Sequence, residues 1–228
     1  MVNSDEALAL LRTGLSDEEP TFLWSDVELY SYIDDAQKMF CRLTDGLADA
    51  STPAVTLLSV PVASSWLALH VSIKKIRSAT LVSTGAPITI LNAEDMPLLG
   101  LRFDGKSGPL ACLVTGMEEN KLRCHPVVNV ADSIQLSVFR LPLVPLNAAG
   151  IPFEVADQHR LHLLDWAKSQ AYLKQDSETR DDEKNKRFDA MFRAYCAAAK
   201  IEQQEKRHKV RSVVYGGISV TSSPARRY

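Results

Sequence analysis

Few residues in this chain have the types and spacing of a catalytic or metal-binding site, and the best candidates are two histidines. His159 and His162 lie three residues apart on a predicted helix, with Asp157 and Asp165 beside them. Imidazole and carboxylate groups at this spacing could begin a metal site of the kind that activates water in a metal-dependent hydrolase. Histidines on helices are far more often surface or core residues than ligands, so we expect no metal here.

The cysteines offer no clearer site. Cys124 and His125 are adjacent on a predicted strand, and neighbouring strand side chains point to opposite faces, so they cannot act as a nucleophile and its base. No CxxC pair occurs, and we expect reduced, buried thiols. The four cysteines are Cys41, Cys112, Cys124 and Cys196.

The familiar catalytic motifs are missing from the sequence. It contains no phosphate-binding loop and no GxGxxG, GxSxG or HExxH. The acidic pairs and runs read as solvated faces or helix starts. The sequence therefore predicts a protein that is not an enzyme, with no catalytic residue, metal or cofactor.

Charge is distributed unevenly along the chain. Residues 1–205 hold 20 Lys and Arg against 28 Asp and Glu, a net charge of −8, whereas residues 206–228 hold six basic residues and no acid. A basic end on an acidic body suits docking on an acidic partner or on nucleic acid. The candidate partner-binding residues are Lys206, Arg207, Lys209, Arg211, Tyr215, Arg226, Arg227 and Tyr228.

Composition is that of an ordinary globular protein. With 228 residues, 46% of them hydrophobic and 24% charged, the chain can bury a core in one or two domains. The first ten residues carry acids where a signal peptide is basic, and no apolar run approaches the ~20 residues of a membrane span. We expect a product that stays in the cytoplasm where it is made and has no membrane partner.

Helical patterns lie at the two ends of the chain. Ser25, with Glu28 three residues later, predicts a capping box that opens a long helix reaching Leu47. Residues 152–208 show two helical patterns separated by a polar elbow, the first including Val155. These patterns predict helices that pack together through facing apolar stripes.

The middle of the chain has an extended pattern. Seven short runs rich in β-branched residues are cut by Pro and Gly, and Glu118-Glu119-Asn120 predicts a hairpin turn. The predicted fold class is therefore α+β: an antiparallel helical bundle with an inserted small antiparallel β domain and an extended C-terminal arm. The predicted domains are residues 1–50 with 152–208 for the bundle, 51–150 for the β domain and 209–228 for the arm.

Four stretches resemble one known family. They are Ser25–Gln37 at the start of the long helix, Leu136–Pro142 at the last strand, Ile151–Glu154 with the following Leu163–Ala167 and Ala171-Tyr172, and the acidic elbow with Lys184–Phe188. In their order and type, they resemble the head-tail connector (adaptor) proteins of tailed bacteriophages.

The resemblance implies a structural role in the virion. Such proteins assemble as a twelvefold ring on the dodecameric portal after genome packaging. The expected location is the head-tail interface of the virion, which is assembled in the host cytoplasm. Implied partners are the portal ring, neighbouring adaptor subunits and a downstream tail or nozzle protein, with DNA passing through the lumen without sequence-specific binding. The basic C-terminal arm is then expected to contact the portal.

Two alternatives from the residues stay open. The basic tail could belong to a nucleic-acid-binding module, although six charges with one tyrosine in the run fall short of a basic groove interleaved with aromatics. A metal-dependent enzyme would use His159 and His162. For an adaptor, we expect the isolated chain to be monomeric or weakly associated and to become ordered on the portal.

Overall fold

The computed structural model describes residues 3–103, 105–175 and 179–207, which form a mixed α and β fold. The helices are α1 (Ser4–Leu15), α2 (Asp26–Leu43), α3 (Pro53–Thr56), α4 (Arg160–Ala171) and α5 (Asp182–Arg207). Within the described ranges, none of them combines the length and apolar character that spanning a bilayer requires.

Helix α2 begins with the predicted capping box. The Ser25 hydroxyl accepts the backbone N–H of Glu28 at 3.3 Å, and the Glu28 carboxylate accepts the backbone N–H of Ser25 at 2.8 Å. The prediction that this helix reaches Leu47 is wrong. The chain leaves the helix at Thr44, whose hydroxyl donates to the carbonyl of Phe40 at 2.8 Å.

Helices α4 and α5 form the predicted pair near the end of the chain. A short 3₁₀ turn, Asp157–His159, precedes α4, so Val155 lies before the helix rather than on it. The carboxylate of Asp181 accepts the backbone N–H of Lys184 at 2.9 Å, which satisfies one free donor in the first turn of α5. Helices α4 and α5 pack side by side.

The strands run mostly between these helices. They are β1 (Leu47–Asp49), β2 (Leu57–Val60), β3 (Trp66–Ala68), β4 (Ile73–Leu81), β5 (Pro87–Asn92), β6 (Ser107–Gly108), β7 (Cys112–Thr115), β8 (Lys121–His125), β9 (Val127–Val128) and β10 (Asp132–Arg140). Eight of them form one curled sheet in the order β1-β10-β4-β5-β7-β8-β3, with β2 also paired to β10. Strands β7 and β8 are joined by the predicted hairpin turn, where Asn120 has a φ of 52°.

The sheet encloses its own core. Along β10, Ile134, Leu136 and Val138 are fully buried, as the alternation of this strand predicts. They pack with Leu113 and Leu122 from the other half of the sheet, so the sheet curls around one apolar interior.

The helices pack around a central pair. Helices α2 and α4 contact each other, α1 contacts both of them, and α5 also contacts both. Because α1 and α5 share the same two neighbours, they lie on opposite sides of the α2–α4 pair. Buried aromatic residues fill this packing, with Trp24 on the α1 side and Phe192 on the α5 side.

The predicted fold class, a helical bundle with a small inserted antiparallel β domain, is wrong. The large curled sheet is a dominant part of the fold and the helices are few. The sheet also includes β1, whose residues the prediction assigned to the bundle. It is not purely antiparallel, because β5 pairs with β7 in parallel. Alternation within one strand identifies the buried face but not the partner strand. The number of strands in the sheet and the parallel or antiparallel direction of each pair could therefore not be predicted from the sequence. The predicted arm, residues 209–228, lies outside the described residues.

Candidate functional site

The predicted partner-binding residues begin in the last turn of α5. Lys206 is exposed and its ammonium pairs with the carboxylate of Glu202 at 2.5 Å, one helical turn earlier. Arg207 ends the helix. The other six candidates, Lys209, Arg211, Tyr215, Arg226, Arg227 and Tyr228, lie outside the described residues.

One face of α5 fixes the direction in which this end points. Phe192 is fully buried and its ring lies 5.3 Å from that of Trp166 in α4. Near the start of the helix, the side-chain amide of Asn185 donates to the carbonyl and the hydroxyl of Ser169, both at 2.9 Å. The buried stripe continues to Ala199, and from Lys200 onward most side chains are exposed. The helix therefore holds its basic end clear of the core.

The two histidines of the predicted helix both contact Tyr195 of α5. His159 is buried and its Nδ1 lies 2.7 Å from the Tyr195 hydroxyl of α5, whereas the His162 ring stacks on the Tyr195 ring with centroids 3.6 Å apart. Burial lowers the pKa of His159, so its imidazole is neutral at pH 7. Across the described ranges, no three His, Cys, Asp or Glu side chains are grouped to hold a metal. His159, His162 and Tyr195 form a cluster that joins the start of α4 to α5.

The cysteines are buried free thiols, as predicted. Burial raises the pKa of Cys41 and of Cys196 to about 12, and that of Cys124 to about 11. Nucleophilic chemistry needs the thiolate, which burial disfavours here. Cys124 faces the core of the sheet, while the ring of its neighbour His125 lies 5.8 Å from that of Phe103 outside it.

A buried ion-pair cluster joins the sheet to the helices. The Arg140 guanidinium at the end of β10 contacts the carboxylate of Asp49 in β1 and that of Glu154 before α4, both at 2.6 Å. Burial opposes ionisation of Asp49, but Arg140 and the backbone N–H groups of Ser51 and Thr52 outweigh it and hold the pKa of this carboxyl well below its usual range. Glu154 also accepts a backbone N–H from the segment after β10. These contacts fix the helices relative to the sheet.

A second contact at the same junction involves Lys74 of β4. Its ammonium donates to the C-terminal carbonyls of α2, including those of Cys41 at 3.1 Å and Arg42 at 2.6 Å. A cation at this position is favoured by the helix dipole. Burial lowers the pKa of Lys74, and the charge of Lys200 from α5 lowers it further. The exposed part of α5 therefore passes beside this junction.

Sequence patterns did not single out Arg140 or Lys74. Arg140 appears in the sequence as one more polar residue of an alternating strand, and Lys74 as part of a basic strand. Their partners are distant along the chain, since Arg140 and Asp49 are 91 residues apart. A local signal is a charged residue at the strand end, two residues before Pro142.

Comparison with known proteins gives one clear result. A family model described as SU10 adaptor protein matches residues 3–216, which include the helices, the whole sheet and the first part of the basic segment. The search of curated proteins gives no match.

Proposed function

The chain belongs to the SU10 adaptor protein family, a phage head-tail adaptor family, and on that premise we propose that it forms a ring under the portal of a tailed phage. In this proposal the ring joins the DNA-filled head to the tail and continues the DNA channel. The observation that carries the proposal is the family match, because it spans the helices, the sheet and the beginning of the basic segment.

The proposed portal contact is the basic segment that follows α5. Two observations support this contact. The charge changes from acidic to basic at residue 206, and the buried stripe of α5 ends at Ala199, so the last turns of the helix are exposed. A terminal segment without acids gains affinity from an acidic partner surface. The residues proposed for this contact are Lys206, Arg207, Lys209, Arg211, Tyr215, Arg226, Arg227 and Tyr228.

The remaining features of the role follow from the same premise. We propose a dodecamer in the virion, with a tail or nozzle protein on the other side of the ring. The net charge of −8 on residues 1–205 repels DNA in the lumen rather than trapping it. The role needs no catalysis and no cofactor. We also propose that residues 1–50 with 152–208 and residues 51–150 act as two units, because residues 51–150 alone supply the apolar core of the sheet.

The direct test removes the proposed arm. A chain that ends after His208 should fold as the full chain does and should no longer sediment with portal rings. A matched control keeps residues 209–228 with the same composition in shuffled order, which separates a requirement for charge alone from one for sequence. Binding that depends on charge should also weaken as salt rises. Normal binding by the shortened chain would sink the proposal that the arm makes this contact.

The same samples decide between an adaptor and a nucleic-acid-binding module. The full chain, the shortened chain and the shuffled chain are compared in a gel-shift assay with duplex DNA at ~150 mM salt. We expect no shift with any of them. A shift that disappears with the arm would assign the basic segment to nucleic acid instead of the portal.

A further inference from the structure

The outer face of α5 is apolar although nothing in the described structure covers it. At 100° per residue, Ala190, Ala194 and Ile201 lie opposite Phe192, which is the centre of the buried face. Ile201 is 58% exposed, and Met191 at the edge of the same face is 45% exposed. A helix that served only to close the fold would carry polar residues here.

Two cations lie at the start of this outer face. Lys186 and Arg187 are exposed, and neither forms an ion pair with any residue in the described ranges. By contrast, the nearby Arg193 pairs with Asp189 at 2.8 Å on the flank of the helix. The outer face therefore presents apolar side chains, with two unpaired cations and the exposed carboxylate of Glu183 at one end.

A second exposed apolar surface carries the opposite charge. In the loop between α1 and α2 and at the start of α2, Phe22 is 49% exposed and Val27 is 77% exposed. Glu18 and Glu19 precede them, and both are exposed without a cation partner in the described part of the chain. The Arg12 guanidinium lies 3.9 Å from the centre of the Phe22 ring, but it is paired with Asp17 and Asp26, so Glu18 and Glu19 remain as unpaired acids. Apolar residues beside these acids make this loop complementary to the outer face of α5 in polarity and charge.

The two surfaces lie where a repeating contact needs them. Helices α1 and α5 are on opposite sides of the α2–α4 pair, so the outer face of α5 is directed away from α1. The start of α5 and the loop after α1 lie at the same end of the helices, where Tyr172 contacts both Phe188 and Trp24. A symmetric dimer through either surface would bring like charges together. A contact between two different surfaces repeats from copy to copy, and it gives a ring when the rotation between copies closes.

We propose that the outer face of α5 of one copy binds the α1–α2 loop of the next copy. Lys186 and Arg187 of the first copy then face Glu18 and Glu19 of the second, and Ala190, Ala194 and Ile201 pack on Phe22 and Val27. This inference rests on the proposed ring only in requiring that copies meet side by side. It commits to a second copy of this chain because both complementary surfaces are present on the one sequence.

Zero-length coupling of amines to carboxylates tests the contact directly. Full chains, half of them labelled with ¹⁵N, are coupled both alone at high concentration and on portal rings, and the linked peptides are mapped. We expect an amide between Lys186 and Glu18 or Glu19 that joins labelled to unlabelled chains. Coupling between copies that never involves these residues would overturn the proposal.

Charge reversal gives an independent test with a built-in rescue. Lys186→Glu with Arg187→Glu, and separately Glu18→Lys with Glu19→Lys, should each raise the concentration needed for association roughly tenfold. An equal mixture of the two variants restores opposite charges across every contact and should associate as the unmodified chain does. The matched control, Lys75→Glu with Arg77→Glu on the outer face of β4, makes the same charge change and should have no effect. Ala194→Trp blocks close approach without a charge change and should also weaken association.

The outcomes separate this proposal from the portal-binding one. If the unmodified chain fails to bind portal rings, the proposed function falls, and association is then measured by sedimentation of the chain alone. An unmodified chain that stays monomeric at every concentration and on portal rings overturns this inference. So do reversal variants that associate normally, or a mixture that associates no better than its components.

Discussion

Two polar clusters hold the helices in place, and they do so by opposite means. At the junction with the sheet, Arg140 is charged and lies between the carboxylates of Asp49 and Glu154. Between α4 and α5, His159 is buried and neutral beside the Tyr195 hydroxyl. A paired carboxylate with a lowered pKa keeps its charge in mild acid, whereas a buried imidazole gains a proton that its site disfavours. The comparison indicates that the junction withstands mild acid and that the contact beside the exposed end of α5 does not.

The largest expected effect comes from breaking the charged cluster. Arg140→Ala leaves the buried carboxylate of Asp49 without its partner and should lower the free energy of unfolding by about 3–5 kcal/mol. Urea denaturation at pH 7 measures it. The control Lys75→Ala, at an exposed position on the neighbouring strand β4, should change this free energy by less than about 0.5 kcal/mol. Equal effects of the two substitutions would show that the ion pairs do not hold the junction.

The neutral cluster should contribute less. Tyr195→Phe keeps the ring that stacks on His162 and removes only the hydroxyl that contacts His159. We expect a loss of about 0.5–1.5 kcal/mol in the free energy of unfolding, which is the usual net worth of one hydrogen bond. A loss as large as that of Arg140→Ala would contradict the ranking of the two clusters.

The contributions of the two clusters to stability should also depend differently on pH. The pKa of His159 is lower in the folded protein than its ordinary value of 6.5, so the unfolded chain binds the proton first and stability falls as the pH drops through 6.5. His159→Gln should remove this dependence in urea denaturation between pH 7.5 and about 5. The pKa of Asp49 is below its ordinary 3.8, so its contribution persists in this window and is lost only at lower pH.

Asp165 gives the pH experiment an internal check. Burial raises the pKa of its carboxyl, so the folded protein takes up this proton before the unfolded chain does. Its effect on stability therefore has the opposite sign to that of His159. A free energy of unfolding that does not fall between pH 7.5 and 6 would contradict the assignment of His159 as a buried neutral group.

The smallest effect is expected on the outer face of α5. Lys186→Glu with Arg187→Glu alters exposed side chains that touch neither cluster, so the free energy of unfolding should change by less than about 0.5 kcal/mol. The same variant is expected to weaken association between copies. A large loss of stability would mean that the outer face belongs to the fold rather than to a contact surface.

Local patterns predicted local structure well. The capping box of Ser25 and Glu28, the buried alternation of β10 and the hairpin turn before Lys121 are all present. Each of these depends on residues a few positions apart, which a sequence displays directly. The resemblance to head-tail adaptors is likewise confirmed by the family match.

Long-range pairing was the part that sequence patterns missed. Leu47 continues the helical step of α2 by type, yet it pairs with Arg140 in the sheet. The local sign of the change is Gly46, whose φ of 87° is incompatible with a right-handed helix. The parallel pairing of β5 with β7 and the ion pair of Arg140 with Asp49 depend on the same curled sheet. Once the size of the sheet was misjudged, the junction that it builds with the helices could not be predicted.

The most direct test of the adaptor role is a low-resolution image of the full chain mixed with portal rings. The account predicts one ring of copies on one side of the portal, with the exposed end of α5 directed towards it and neighbouring copies touching through α5 and the α1–α2 loop. Portal rings without added density would contradict the adaptor role. Density in which the sheet faces the portal and α5 points away would contradict the contact assigned to the basic segment.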